Sequence, residues 1–271
     1  RHLAEGRARG ADAVVLTGGE PTLHRALLAT ARKARALGYR TVQLQTNGRA
    51  LCYERGCREL ADAGVTEFSP ALHGSRPEVH DFLVRAPGAW LQTVTGLRNL
   101  RRLGLPALAN SVVTKSNYRD LPDLARLLVS LGVRQYQFAF VHLAGTAAAN
   151  ASWLVPRKAL AAPYVQEGLA VGEAAGVPCF VEAFPPCLLG RHARRASEPS
   201  IPRTRVIDAE RVTEDYTAYR RERGKAKGPA CTPCLHAGSC EGPWREYPEL
   251  FGWEEFRPPA AGALLQSKPD A

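Results

Sequence analysis

Short apolar segments alternate with longer amphipathic segments through the first 184 residues of the chain. The short runs are typical of buried strands, because each ends at glycine or at polar turn residues. The longer segments place apolar residues three or four positions apart, which is the spacing of one helix face. The pattern predicts six strands: Ala13–Thr17, Thr41–Thr46, Val65–Leu72, Pro106–Thr114, Gln135–Val141 and Val177–Phe184.

The segments between these strands predict helices, several of which are closed by a glycine in the C-terminal position. The predicted helices run from Leu23 to Gly38 and over Tyr53–Ala63, Pro77–Val84, Ala89–Leu103, Asp120–Leu131 and Pro156–Ala175. Alternating strands and helices imply βαβ units and a parallel sheet, either open and doubly wound or closed into a barrel. In both architectures ligands bind at the C-terminal ends of the strands.

The pattern changes after Pro185. Residues 185–260 are rich in Pro, Arg and Cys, and they predict only one helix, near Ala209–Arg223. An irregular segment of this length needs something to hold it together. We therefore expect three parts: an α/β domain over residues 1–184, a cysteine-rich extension over 185–260, and a disordered tail over 261–271.

The charge and composition of the chain limit the kinds of partner that it could bind. The net charge is +10, and the stretch Arg191–Lys227 carries half of it. A basic stretch can bind a polyanion, but more often it is a solvated loop. In this stretch the only aromatic residues among the basic ones are Tyr216 and Tyr219, which does not favour nucleic-acid binding. No apolar run approaches the ~20 residues of a membrane span, and no signal peptide opens the chain, so we expect a cytoplasmic protein without a membrane partner.

Small and polar residues follow the first three predicted strands. The first strand runs into Gly18-Gly19-Glu20-Pro21, the second into Asn47-Gly48 and the third into His73-Gly74. Glycine lets a ligand approach the backbone closely, and a neighbouring carboxylate can bind an ammonium group. Pro21 suits the first turn of a helix. A tight turn with a solvated glutamate is the alternative interpretation of this motif.

Four of the seven cysteines lie in the extension. Cys231 and Cys234 form a Cys-x2-Cys pair, Cys240 follows, and Cys187 lies upstream. Four thiolates can hold zinc or an iron–sulfur cluster, and His236 could replace one of them in a zinc site. Disulfides are the alternative, but they suit secreted chains. The remaining cysteines are expected to be small buried apolar side chains: Cys52, Cys57 and Cys179.

Five motifs in this order resemble the radical S-adenosylmethionine (radical SAM) superfamily. They are Gly18-Gly19-Glu20-Pro21, Gln45-Thr46-Asn47-Gly48, Leu72-His73-Gly74, Asn110-Ser111-Val112-Val113 and Val141-His142-Leu143-Ala144-Gly145. The resemblance implies a partial (β/α)6 TIM-like barrel, here lacking its first strand and cluster loop. It also implies that S-adenosylmethionine is bound by Gly18, Gly19, Glu20, Pro21, Thr46, Asn47, His73, Asn110 and His142.

The same resemblance implies a [4Fe–4S] cluster on a Cys-x3-Cys-x2-Cys loop upstream of Gly18. This chain does not contain that loop, and we expect truncation, with a degenerate, inactive member as the alternative. A complete member generates a 5′-deoxyadenosyl radical that abstracts hydrogen from a small-molecule or peptide substrate. Its electron comes from an external donor such as flavodoxin or ferredoxin. The sequence identifies no catalytic side chain.

The cysteine-rich extension resembles those that carry an auxiliary [4Fe–4S] cluster in members that modify peptides. The resemblance implies that Cys187, Cys231, Cys234 and Cys240 are the ligands. The rival hypothesis is a non-catalytic binding protein, stapled by zinc at these cysteines, that contacts a polyanion through Arg191–Lys227.

Overall fold

Six parallel strands form the centre of the computed structural model, which describes residues 1–259. Each strand lies within a segment that the apolar pattern predicts, and most are shorter by a residue or more. They are β1 (Ala13–Leu16), β2 (Thr41–Thr46), β3 (Glu67–Pro70), β4 (Leu108–Val113), β5 (Gln135–Phe140) and β6 (Cys179–Glu182).

The strands follow one another in chain order. β1, β2 and β3 pair in parallel, as do β4, β5 and β6. Parallel bridges from Phe68 to Ala107 and from Ala71 to Asn110 join the two groups into one sheet. Within the described residues β6 does not pair with β1, so the sheet is a partial barrel of the expected α/β class.

Helices alternate with the strands, as the amphipathic pattern predicts. The helices that precede and accompany the sheet are α1 (His2–Ala8), α2 (Leu27–Ala36), α3 (Glu54–Asp62), α4 (Pro77–Val84), α5 (Ala89–Arg102), α6 (Leu121–Ser130), α7 (Thr146–Ala149), α8 (Ala151–Leu154) and α9 (Lys158–Ala174). Leu23 does not extend the helical face of α2: it lies in a separate 3-10 turn, Pro21–Leu23, and is 84% exposed.

The two faces of the sheet differ in polarity. Tyr136 and Phe138 of β5 are fully buried and pack toward α9. The alternate positions carry polar side chains, which hydrogen-bond across neighbouring strands. Gln43 Nε2 donates to Glu67 Oε2 at 3.0 Å, and Gln137 Nε2 donates to Glu182 Oε2 at 2.8 Å. Side chains alternate in direction along a strand, so one face is core and the other is a polar concave surface.

Close packing of α9 on the sheet depends on glycine. A Cβ added at Gly172 would lie 2.4 Å from Tyr136 Oη and 2.8 Å from Cys179 Sγ. Both of these groups are fully buried, so neither can move into solvent. The backbone of α9 therefore approaches β5 and β6 more closely than any larger residue would allow.

We expect Gly172→Ala to lower the free energy of unfolding by about 1–3 kcal/mol, because an overpacked core must shift. Gly56→Ala in α3 is the matched control, since its added Cβ would meet Ala50 O at an ordinary 3.6 Å. The control should be neutral or stabilising by up to ~1 kcal/mol from helix propensity. Urea unfolding of both variants measures the difference, and equal values would show that α9 has room at Gly172.

The extension is mostly irregular, and the predicted helix over 209–223 is largely wrong. A hairpin of β7 (Val206–Ile207) and β8 (Val212–Thr213) occupies its first part, and the helical part is split between α10 (Tyr216–Tyr219) and a π-turn at Arg220–Gly224. Asp208 accepts hydrogen bonds from the backbone of Glu210 and Arg211, which makes a turn where helix was expected. α11 (Glu246–Phe251) is the last helix of the described residues.

Buried ion pairs fix the extension. Arg220 is fully buried and donates two hydrogen bonds to Glu241, at 2.6 and 2.8 Å. Lys225 is also buried and lies 3.0 Å from Glu198. Buried charges are tolerated when they are paired, and loss of one partner is costly. This part of the basic stretch is therefore ordered structure, in contrast to the solvated loop expected from its charge.

No helix among the described residues has the length and apolar character that a bilayer crossing requires.

Candidate functional site

Glu20 connects the C-terminal ends of β1 and β2. Its Oε1 accepts hydrogen bonds from Thr22 N at 3.1 Å, Thr22 Oγ1 at 2.6 Å and Thr46 Oγ1 at 2.6 Å. Its Oε2 accepts from Asn47 N at 2.7 Å. The side chain is thus the N-terminal cap of the Pro21–Leu23 turn and the link to the next strand.

The charge of Glu20 is preserved by these contacts. Partial burial alone would raise the pKa of Glu20, but hydrogen bonds from Thr22, Thr46 and Asn47 outweigh it and lower the pKa below its usual value. A carboxylate can accept about four hydrogen bonds, and within residues 1–259 Oε2 receives only one. A fixed anion with a free acceptor position therefore faces the strand ends, which suits an ammonium ligand.

The double glycine beside Glu20 leaves open space. Gly18 has a φ of 134°, a conformation that favours glycine, and an added Cβ at Gly18 or Gly19 would meet nothing within 4 Å. At the next strand end, the Asn47 side chain accepts from Arg49 N at 2.9 Å. A ligand can therefore approach the backbone at this rim without displacing protein atoms.

The ends of β3 and β4 are joined through His73. Val112 N donates to His73 Nδ1 at 3.1 Å. Burial, with a smaller contribution from His80, lowers the pKa of His73 to about 4, so the ring is neutral at physiological pH. His80 of α4 is buried, and its Nδ1 accepts from His73 N at 3.0 Å.

Asn110 supplies an unused acceptor on the concave face. Its Oδ1 is buried and has no hydrogen-bond partner among the described residues. Such atoms are rare because an unpaired buried polar group costs free energy. A bound ligand with a donor group would satisfy it. The residues present at these strand ends therefore fit a ligand with ammonium and hydroxyl groups.

His142 follows β5 and stacks on an aromatic residue that sequence reasoning missed. Its ring lies 3.9 Å from the ring of Trp244, at an interplanar angle of 16°. Trp244 is buried and comes from the extension, four residues after Cys240. In the sequence, the signal that could have pointed to this contact was an aromatic residue inside an irregular cysteine-rich segment. The contact joins the extension to the rim that carries the other candidate residues.

The four late cysteines line one pocket. Cys187, Cys231, Cys234 and Cys240 line it, and its walls include Trp253. Burial, and then the neighbouring Cys240, Cys234 and Cys231 sulfurs, raise the pKa of Cys187 to about 12. His236 N donates to Cys234 Sγ at 3.3 Å, and Gly242 N donates to Cys240 Sγ at 3.2 Å. Backbone amides aimed at sulfur stabilise thiolate ligands.

The state of these cysteines bears on the kind of group that the pocket could hold. All seven cysteines are free in the structure. Within residues 1–259, no three His, Cys, Asp or Glu side chains converge closely enough to hold a single metal ion. A tetrahedral zinc needs sulfurs about 2.3 Å from one point. Four thiolates that line one pocket could hold zinc or an iron–sulfur cluster. Cys57 and Cys179 are fully buried as expected, and Cys52 is half-buried.

A buried lysine holds the turn that leads to Cys187, and no sequence signal marked it. Lys158 is fully buried, donates from Nζ to Ala183 O at 3.0 Å, and lies 2.9 Å from the centre of the Phe140 ring. Ala183 has a φ of 57° and donates from N to Glu198 Oε1 at 2.7 Å. These contacts stabilise a strained conformation and so set the direction of the chain after β6.

Taken together, a parallel partial barrel and polar residues at the C-terminal strand ends define an α/β partial-barrel protein with a candidate ligand site at its rim. Residues 1–128 match the sequence model of the Radical SAM superfamily, so this part of the chain is a radical SAM domain.

Three similar proteins illustrate the relationship. An AdoMet-dependent heme synthase of Methanosarcina barkeri is 33% identical over 132 residues, which are 49% of this chain and 37% of that protein. A PqqA peptide cyclase of Methylocella silvestris is 28% identical over 188 residues, 66% of this chain and 50% of that protein. The fold is shared with Streptococcus suis SuiB bound to S-adenosylmethionine, at a TM-score of 0.55, 14% identity, and coverage of 66% and 41%.

The chain spans half or less of the length of these two curated relatives. The superfamily implies S-adenosylmethionine and a [4Fe–4S] cluster as cofactors, and its relatives are enzymes. The α/β partial-barrel expectation is confirmed by the sheet and by the structural similarity.

Proposed function

We propose that this chain belongs to a radical SAM enzyme that acts on a peptide. The observation that carries the proposal is Glu20, an ionised carboxylate that ties β1 to β2 and keeps an acceptor position free at the rim. When bound, the reduced cluster and S-adenosylmethionine supply a 5′-deoxyadenosyl radical that abstracts hydrogen from the substrate. The protein supplies binding, orientation and exclusion of water.

Different residues of the rim would bind different parts of the cofactor. Glu20 would hold the ammonium group of the cofactor, and Gly18 and Gly19 would leave room for its amino-acid half. Pro21, Thr46 and Asn47 fix the position of Glu20 through the turn and the hydrogen bonds already described. Three further residues would line the nucleoside half: His73, Asn110 and His142.

Peptide modification is proposed from two relatives named for peptides. One is the PqqA peptide cyclase, and the other is SuiB, whose structure was also determined with the precursor peptide SuiA. We propose residues 1–184 as the barrel domain and 185–260 as an extension that carries an auxiliary [4Fe–4S] cluster on Cys187, Cys231, Cys234 and Cys240. Residue 260 and the predicted tail over 261–271 lie outside the described residues. A cytoplasmic enzyme that receives electrons from flavodoxin or ferredoxin completes the proposal.

The experiment is anaerobic reconstitution of the complete polypeptide, including a Cys-x3-Cys-x2-Cys segment, with iron and sulfide. Reduction with dithionite in the presence of S-adenosylmethionine should release 5′-deoxyadenosine, measured by chromatography. The same preparation with the three upstream cysteines replaced by alanine is the control and should release none. A reconstituted cluster that yields no nucleoside would overturn the proposal and favour a non-catalytic protein.

A further inference from the structure

A hydrogen-bonded pair of glutamine and glutamate occurs twice on the concave face of the sheet. Gln43 and Glu67 join β2 to β3, and Gln137 and Glu182 join β5 to β6. Glu182 is the last residue of β6, so it lies at the C-terminal edge of the sheet, where parallel α/β folds bind their ligands. The second pair is therefore placed where a ligand could reach it.

Glu182 has an acceptor position that the protein does not use. Its Oε2 accepts from Gln137 Nε2 at 2.8 Å, and within residues 1–259 its Oε1 receives no hydrogen bond. Its register partner on β5 is Ala139, which carries only a methyl group. Because this side chain covers little of the concave surface, a ligand atom can approach Glu182 from the side of β5.

Arg220 of the extension supplies a donor without a partner. Its Nε and Nη2 atoms donate to Glu241, but its Nη1 atom is buried and has no hydrogen-bond partner among the described residues. Such donors are rare, because an unpaired buried polar group costs free energy. The hydrogen bonds to Glu241 raise the pKa of Arg220 most, and the charges of Glu198 and Glu182 add to this. Arg220 therefore lies near Glu182, yet within residues 1–259 the two form no ion pair.

The charges around Glu182 are balanced. Burial, and then the charge of Glu198, raise the pKa of Glu182, while the charges of Lys225 and Arg220 act in the opposite direction. Three carboxylates and three basic groups meet here: Glu182, Glu198, Glu241, Lys225, Arg220 and Arg221. Because no net charge remains, the place favours a neutral ligand group over an ammonium or a carboxylate group. A neutral group that accepts from an N–H and donates to a carboxylate oxygen is an amide.

We infer that Arg220 and Glu182 together bind one peptide bond of the substrate. Arg220 Nη1 donates to the peptide oxygen, and Glu182 Oε1 accepts from the peptide N–H. The register partners Val112, Ala139 and Glu182 form a row across three strands, so Glu182 lies two strand spacings, about 10 Å, from Val112. This row begins where β4 contacts His73, beside the site proposed for the cofactor. The inference rests on the proposed function and names the substrate group that the extension helps to bind.

The test measures binding of small probes to the complete polypeptide without cofactor, in mildly alkaline buffer that favours the carboxylate form of Glu182. N-methylacetamide carries one peptide group, and methyl acetate has the same shape without the N–H donor. N-methylacetamide should shift the backbone amide signal of Ala139 saturably in nitrogen-15 NMR. Methyl acetate should bind about 3- to 10-fold more weakly, the size of one hydrogen bond. Acetate and methylammonium should also bind more weakly, because each brings a net charge.

Two variants test the two residues separately. Glu182→Leu removes the acceptor, and Arg220→Lys removes the Nη1 donor but keeps a positive charge for Glu241. Each should weaken N-methylacetamide binding by about 3- to 10-fold. If Arg220→Lys does not fold, Glu182→Leu decides alone. Glu67→Leu is the matched control, because Glu67 has the same kind of glutamine partner on the same face, and it should leave the affinity unchanged.

The outcomes distinguish this inference from the proposed function. Equal binding of amide and ester, tighter binding of acetate or methylammonium, or binding that Glu182→Leu leaves unaltered overturns the inference. The same holds for a chain that releases 5′-deoxyadenosine but binds no N-methylacetamide. A chain that binds N-methylacetamide as expected but releases no 5′-deoxyadenosine overturns the proposed function instead.

Discussion

Replacing Glu20 by glutamine is expected to weaken S-adenosylmethionine binding by about 10- to 150-fold. The substitution removes the charge that would bind the ammonium group, and hydrogen bonds to charged groups contribute about 1.5–3 kcal/mol. It also places an NH2 group among donors, because Thr22, Thr46 and Asn47 all donate to this carboxylate. Isothermal titration calorimetry of the complete polypeptide measures the change.

Two variants distinguish the effect of the Glu20 charge on affinity from the effect of its surroundings. Glu67→Gln changes another carboxylate on the concave face, whose partner is Gln43, and should leave affinity within about twofold. Thr22→Val removes one hydroxyl bond to Glu20 and keeps its charge, so it should cost less than Glu20→Gln. Equal affinity in Glu20→Gln and the wild type would mean that the amino-acid half of the cofactor binds elsewhere.

The strands and helices of the barrel could be predicted from the sequence because the signals for them are local. β2 has the bounds that its apolar run predicts, and α4 begins and ends where Pro77 and the periodicity place it. The strand-end motifs were found for the same reason: glycine pairs and turn residues follow directly from the chain order. The contacts that make Glu20 a site, from Thr46 and Asn47, join residues more than twenty positions apart and needed the structure.

The extension shows where local reasoning ends. The stretch from Ala209 to Arg223 looked helical, yet the hairpin and the Asp208 turn occupy its first part because tertiary partners outweigh propensity. The charge of the basic stretch also gave a wrong expectation, because Arg220 is not solvated but buried against Glu241. Trp244 is placed beside His142 by folding across a long sequence separation, which no periodicity encodes.

The second prediction with a large expected effect concerns iron binding in the cysteine pocket. Reconstituted under anaerobic conditions, the chain is expected to hold about four iron and four labile sulfide per molecule, with the visible absorption of a [4Fe–4S] cluster. Cys234→Ser should remove most of this iron and absorption, because serine replaces a thiolate that lines the pocket and is already approached by a backbone amide. Metal analysis, sulfide assay and absorption spectra measure the loss.

Cys52→Ser is the matched control, because Cys52 is half-buried and lies outside the pocket. It should retain the iron and sulfide of the wild type. One equivalent of zinc without sulfide would instead support the zinc-stapled binding protein. Since Cys187 follows a turn held by Lys158 and Glu198, buried contacts fix where Cys187 enters the pocket, whichever metal it binds.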